Sequence, residues 1–271
     1  MFIKTCIKTY ITLFLLNPSS KYVYGFNQYN FNKSNRLYKT FIESKKIKNS
    51  ETNKLEYLPK SNNQIEYKDT LEKDDMELIF CIGPAGTGKT LFACQHAILS
   101  LKETKYKKII ITRPTVSIEE DIGFLPGTIK EKMQPYTTPI FDIFQEYFSK
   151  REIDSMIENN IIEIAPLGYL QGRTFKDSII IADEMQNSTP NQMFMLLTRI
   201  GNNSKMIITG DPLQSINKNN GLVDIIVKLK NNYDNIDEMN NDKITVIKLD
   251  EKDIQRHHIV AKINNLYMNN R

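Results

Sequence analysis

Apolar and polar positions divide the chain into two textures, with the change at Glu77. From there on, short apolar runs at 77–82, 108–112, 161–165, 178–182, 205–209 and 243–249 recur between longer mixed segments. Brief apolar runs bounded by polar residues are the signature of strands buried on both faces. The intervening segments 89–104, 137–148, 152–158, 190–200 and 222–229 read as helices. Thr189 followed by Pro190 is a strong start signal, with threonine as N-cap and proline in the first helical position. Strands alternating with helices predict an α/β fold, a largely parallel sheet with helices on both faces. No internal repeat interrupts the pattern.

Upstream of Glu77 the pattern is different. Residues 1–42 carry Lys4, Lys8, Lys21, Lys33, Arg36 and Lys39 and no acid. The apolar run 10–16 is too short to span a bilayer. It resembles the core of a secretory signal, followed by a Lys/Asn/Ser-rich stretch like a transit peptide. That reading sends the protein to a plastid-like organelle of the apicoplast type, with the mitochondrion or cytoplasm as alternatives. A plain Asn-rich extension is the other account of the same composition. The expected division is residues 1–55 as leader and disordered linker and 56–271 as one domain. The polar texture runs on through 44–75, which lacks apolar periodicity and reads as linker. No stable membrane insertion is expected of the mature body.

Charge changes the picture further. The formal net charge is +4, but without the six leader cations 30 basic residues face 32 acidic ones. The body therefore lacks the broad basic face of a strong duplex binder, and any nucleic-acid contact must come from a local patch. Cys6, Cys81 and Cys94 lie far apart, and His96, His257 and His258 are the only histidines. That argues against a disulfide framework and against zinc, structural or catalytic.

The strongest chemical signal lies in "LIFCIGPAGTGKTLFACQHAILSL", a strand, a glycine-rich turn and an amphipathic helix. Gly83, Pro84, Ala85, Gly86, Thr87, Gly88, Lys89 and Thr90 fit G-x-x-x-x-G-K-[ST] in full. Glycines let backbone N–H groups curl round a phosphate chain, and the helix N-terminus adds its dipole and free donors. Lys89 supplies charge for the β and γ phosphates, and Thr90 a hydroxyl for Mg²⁺.

With a phosphate loop present, "SIIIADEMQN" acquires a role. Asp183, at the end of an apolar strand, is the second acid such sites need for Mg²⁺. Glu184 is placed to orient or deprotonate an attacking water. Neighbours on a strand point to opposite faces, which would separate the two tasks. A third strand, "SKMIITGDPLQ", ends in Gly210, Asp211 and Gln214. Gln214 is placed to sense the γ-phosphate, while G-D-P is also a good turn sequence by itself.

Together "GPAGTGKT", "ITRPTVSIEEDIGFLPGTIKEKMQPYTTPIFD", "IEIAPLGYLQGRTFKDSIIIADEMQN", "QMFMLLTRIGNNSKMIITGDPLQ" and "DIQRHHIV" resemble the PhoH-like ATPases in order and spacing, over residues 70–270. The resemblance implies a RecA-like P-loop NTPase core related to that of superfamily one helicases, ATP and Mg²⁺ as ligands, and a homo-oligomeric ring. It implies RNA or single-stranded DNA as partner. It places the Mg²⁺ acid on Asp183, the catalytic acid on Glu184 and the sensor segment on 210–214. "D-x-x-R-H" becomes Asp253, Arg256 and His257, with Arg256 similar to an arginine finger; a helix-start surface residue is the alternative. Superfamily one helicases use two such cores, and a body of this size holds one, so a finger would come from a neighbouring subunit or not at all.

Arg113 beside Pro114, and Tyr169 and Arg173 in "GYLQGRT", pair cations with an aromatic ring in a way that suits a single strand. The alternative has both arginines holding acids of the segment 117–121 or contacting nucleotide. The leading reading is an ATP hydrolase acting on RNA or another polymer. An ATP-ordered ring-assembly module and a small-molecule phosphotransferase are the competing ones.

Overall fold

The computed structural model describes residues 56–114, 129–215 and 219–255. The leader, the segment 117–121 and Arg256 with His257 lie outside them.

All six expected strands form: β1 (Leu78–Ile82), β2 (Lys108–Thr112), β3 (Ile162–Ile164), β4 (Ser178–Ala182), β5 (Lys205–Gly210) and β6 (Ile244–Lys248). They pair side by side in the order β3-β2-β4-β5-β1-β6, every pairing parallel. Among the described residues the helices are α1 (Asn62–Glu72), α2 (Lys89–Lys102), α3 (Ile129–Gln145), α4 (Lys150–Glu158), α5 (Pro190–Leu197), α6 (Gly221–Asn232) and α7 (Ile236–Asn241). Strand β5 lies between β1, which carries the phosphate loop, and β4, which carries the acids. This is the arrangement of a RecA-like core.

Strand alternation divides the apolar residues between two layers. Phe80, Ile110, Ile180, Met206 and Ile208 pack with Met193 and Leu196 of α5, Leu222, Ile226 and Leu229 of α6, and Met239 of α7. Ile79, Ile109, Ile111, Ile179, Ile181 and Ile207, equally buried, have the opposite parity and face the side on which α2 crosses β2, β4 and β5. Burying such a side chain contributes about 1.5–3 kcal/mol relative to exposure, so both faces of the sheet must stay covered.

Helix starts follow local chemistry. Thr189 caps α5 by accepting from the Gln192 N–H while Gln192 returns the bond to Thr189, and Pro190 opens the helix as expected. Ser149 and Glu152 make the same reciprocal box for α4, and Asn220 caps α6 through the Leu222 and Val223 N–H groups.

The linker reading of 44–75 is corrected from residue 61 onward, where Ser61 caps α1. Gln64, Tyr67, Thr70 and Leu71 form its buried side. Three of the four carry polar atoms, so no apolar stripe marked the helix. Gln64 donates from Nε2 to the carbonyls of Thr87 and Asp253, and Tyr67 donates to the Lys89 carbonyl. Among the described residues no helix is long and apolar enough to cross a membrane.

Candidate active site

Strand β1 ends at Ile82 and turns through Gly83, Pro84, Ala85, Gly86, Thr87 and Gly88 into α2. A Cβ on Gly83 would lie 2.3 Å from the Leu249 carbonyl oxygen. Gly88, the N-cap of α2, has a φ of 92°, which only glycine adopts freely. The Gly83 N–H donates to the Gly210 carbonyl at 3.2 Å, tying the loop to the tip of β5. Fully buried Thr87 donates from Oγ1 to the Pro84 carbonyl at 2.8 Å, closing the turn. The loop thus delivers the chain to a helix start whose free N–H groups and dipole favour an anion.

Lys89 donates from Nζ to the carbonyls of Gly83 and Pro84, both at 2.7 Å. Burial pushes its ammonium below the ordinary lysine value, while Cys81, Asp211, Glu184 and Asp183 draw it back up. A cation thus sits against the loop that would hold phosphate.

Asp183 lies one residue beyond β4 and is 5% exposed. Its Oδ1 accepts from Thr90 Oγ1 at 2.8 Å and from Thr209 Oγ1. One carboxylate oxygen therefore joins α2, β4 and β5. A hydroxyl and a carboxylate are hard oxygen donors of the kind Mg²⁺ accepts, so Thr90 and Asp183 fit that ion. Among the described residues no cluster of three or more His, Cys, Asp or Glu side chains offers another metal site.

Glu184 separates from Asp183 for a different reason than strand alternation. Strand β4 stops at Ala182, and Glu184 takes the left-handed conformation, φ 55° and ψ 37°. This turn reorients the second acid. Its Oε1 lies 3.3 Å from Arg113 Nη2, and its Oε2 accepts from Gln186 Nε2 at 2.5 Å. Gln186, 1% exposed, accepts the Asp211 N–H on Oε1 at 3.1 Å, and its carbonyl accepts from Ser215 Oγ at 2.9 Å.

Gln214 is exposed, with its N–H bonded to the Asp211 carbonyl at 3.1 Å. Asp211 Oδ1 accepts the Leu213 N–H at 3.0 Å, the turn chemistry that G-D-P offers by itself. The amide that spans the ends of β4 and β5 is that of Gln186. Local sequence offered a weak signal for it, a polar residue three places after Asp183. Thr209 left none, because its contact with Asp183 crosses between strands.

Tyr169 stands 63% exposed on a single helical turn, Leu167–Leu170. Arg173 pairs with Glu163 at 2.5 Å and lies 4.8 Å from the centre of the Phe175 ring. Glu163 also takes Lys108 Nζ at 2.9 Å. Burial pushes the Glu163 carboxyl up, but Arg173 and Lys108 hold it below its ordinary value. Arg113 and Arg173 thus each hold an acid, Glu184 and Glu163; the acids of 117–121 lie outside the described residues.

Arg256 lies outside the described residues, but the chain just before it follows the phosphate loop. The Gln255 N–H donates to the Gly86 carbonyl at 2.9 Å, and Asn63 donates to Asp253 Oδ2 at 3.0 Å.

A family model described as PhoH-like protein matches residues 57–268. The chain is 45% identical over 208 residues to a PhoH-like protein of Bacillus subtilis, covering 77% of this chain and 63% of that one. It is 38% identical over 209 residues to a PhoH-like protein of Mycobacterium tuberculosis, covering 77% and 57%. The chain thus spans less than two thirds of the length of these curated relatives. Among solved structures, the Pif1 helicase from Candida albicans aligns over 78% of this chain and 44% of its own, with 17% identity and a TM-score of 0.36.

Proposed function

The chain belongs to the PhoH-like family and is a nucleotide-binding P-loop protein, and from that premise we propose that it hydrolyses ATP with Mg²⁺ and couples the reaction to RNA or another single-stranded nucleic acid. The observation that carries this reading is the 2.8 Å contact between Thr90 Oγ1 and Asp183 Oδ1, with Glu184 next in the chain. It brings the helix after the phosphate loop against the acid strand, so phosphate-binding and water-activating groups share one space.

The loop N–H groups and the α2 N-terminus receive the ATP phosphates. Lys89 moves from the Gly83 and Pro84 carbonyls to the β and γ phosphates, exchanging neutral acceptors for charged ones. Thr90 and Asp183 would hold Mg²⁺, which supplies positive charge against the phosphate oxygens. Glu184 orients a water and accepts its proton as the water oxygen bonds to the γ-phosphorus and the bond to the bridging oxygen breaks. ADP and phosphate leave. Arg113, Tyr169 and Arg173, on segments leaving the adjacent strands β2 and β3, supply cations and a stacking ring for the polymer. In the same reading a ring of copies brings Arg256 of one subunit to the γ-phosphate held by the next, where it offsets developing charge.

The test is ATP turnover by the full chain with and without poly(U), with molecular mass followed in parallel. Glu184→Gln should lower turnover by about a hundredfold or more while nucleotide affinity is kept. Turnover unchanged in that variant would sink the assignment of Glu184. Turnover indifferent to poly(U) would sink the polymer.

A further inference from the structure

We propose that Arg113 and Glu184 form a latch that restrains the hydrolytic acid until the phosphate backbone of a bound single strand takes Arg113 away. The inference rests on the reading above, in which Glu184 activates water and a single strand is the partner.

Three features carry it. Both oxygens of Glu184 are engaged, Oε1 by Arg113 at 3.3 Å and Oε2 by Gln186 at 2.5 Å, so the acid is held toward β2 and its own turn. The pair sits one or two residues past the Thr112–Ala182 pairing of β2 and β4, at the end of the sheet where the phosphate loop also lies. It is open to exchange as well. The Arg113 side chain is 20% exposed and that of Glu184 38%, and ion pairs this open to solvent are weak.

The chemistry of exchange is like for like, because the guanidinium fork that fits a carboxylate fits a phosphodiester equally well. The neighbouring Arg173–Glu163 pair gives the contrast. Lys108 also holds Glu163, so moving Arg173 would leave that acid paired, whereas Glu184 would keep only the neutral amide of Gln186 among the partners described here. The polymer would thus change the catalytic acid through Arg113 and not through Arg173. Coupling of this kind is reciprocal: whatever opens the latch must also favour polymer binding.

Reciprocity supplies a test that does not need turnover. In the nucleotide-free full chain, Glu184→Gln should tighten binding of a labelled oligo(U) by about two- to fivefold, the range a partly exposed ion pair supplies. Asp224→Asn, which frees Lys228 of its partner on α6, sets the baseline for simple loss of negative charge. The double variant Arg113→Ala, Glu184→Gln should lose the gain. In turnover, Arg113→Ala should raise the polymer-free rate at unchanged nucleotide affinity and flatten stimulation by poly(U), and Arg113→Lys should restore part of the restraint. Oligo(U) binding to Glu184→Gln no tighter than to Asp224→Asn overturns the latch, as does a polymer-free rate in Arg113→Ala at or below that of the unaltered protein. A chain that turns over no ATP removes the hydrolysis reading, and the binding comparison still decides the latch.

Discussion

Thr112 and Thr209 are both fully buried at the ends of neighbouring parts of the sheet, yet their hydroxyls meet opposite fates. Thr209 donates to Asp183 Oδ1, whereas Thr112 Oγ1 has no hydrogen-bond partner among the described residues. Valine has the same shape as threonine, so it isolates the hydroxyl in each place. Thr209→Val removes a donor from a buried carboxylate and should cost about 1–3 kcal/mol of unfolding free energy. Thr112→Val removes a buried group that gains nothing from its burial and should be neutral or stabilise by about 1 kcal/mol. Urea melts of the two variants side by side check both signs, and a Thr112→Val protein less stable than Thr209→Val would contradict them.

Helix α1 shows how an element can be essential to a site and invisible to a pattern. Its attachment is polar: Gln64 supplies both N–H donors of its amide to the Thr87 and Asp253 carbonyls and accepts from the Lys60 N–H. Lys205, fully buried at the start of β5, donates to the carbonyls of Leu71 and Lys73 at the other end of the helix, and burial holds its ammonium down at about 8. Gln64→Ala should leave two buried carbonyls without that donor and cost about 1–3 kcal/mol, measured by denaturant unfolding. The six strands were legible because their apolar runs are short and bounded, and the phosphate loop because its glycines have fixed spacing. Asp183 was legible as an acid closing an apolar run. Helix α1 was not, since Gln64 and Tyr67 look like surface residues until their partners 20 and more positions away are known. Gln186 and Thr209 belong to the same class, residues whose role exists only across strands.

At the scale of the whole molecule, packing on the α2 side of the sheet buries a histidine that cannot easily take a proton. His96 on α2 is 9% exposed; burial, then Lys205 and Lys105, push it from 6.5 to about 3. Its folded value lies below its unfolded one, so the unfolded chain binds the extra proton first. Stability from this group is complete above 6.5 and is lost as pH falls toward 3, at up to about 1.4 kcal/mol per pH unit. His96→Gln should flatten that part of the pH–stability curve, and an unchanged slope would show that other groups dominate. The backbone at Glu184 has a consequence of another kind. Left-handed φ suits Asn160, Asp177 and Asn203, which adopt it elsewhere in the chain, better than it suits a glutamate. The reaction proposed here demands a carboxylate at a position where the backbone by itself would favour asparagine or glycine by about 1 kcal/mol. Selection for heat resistance alone would therefore tend to discard this acid early, and its retention in a stabilised variant would report selection for chemistry rather than for the fold.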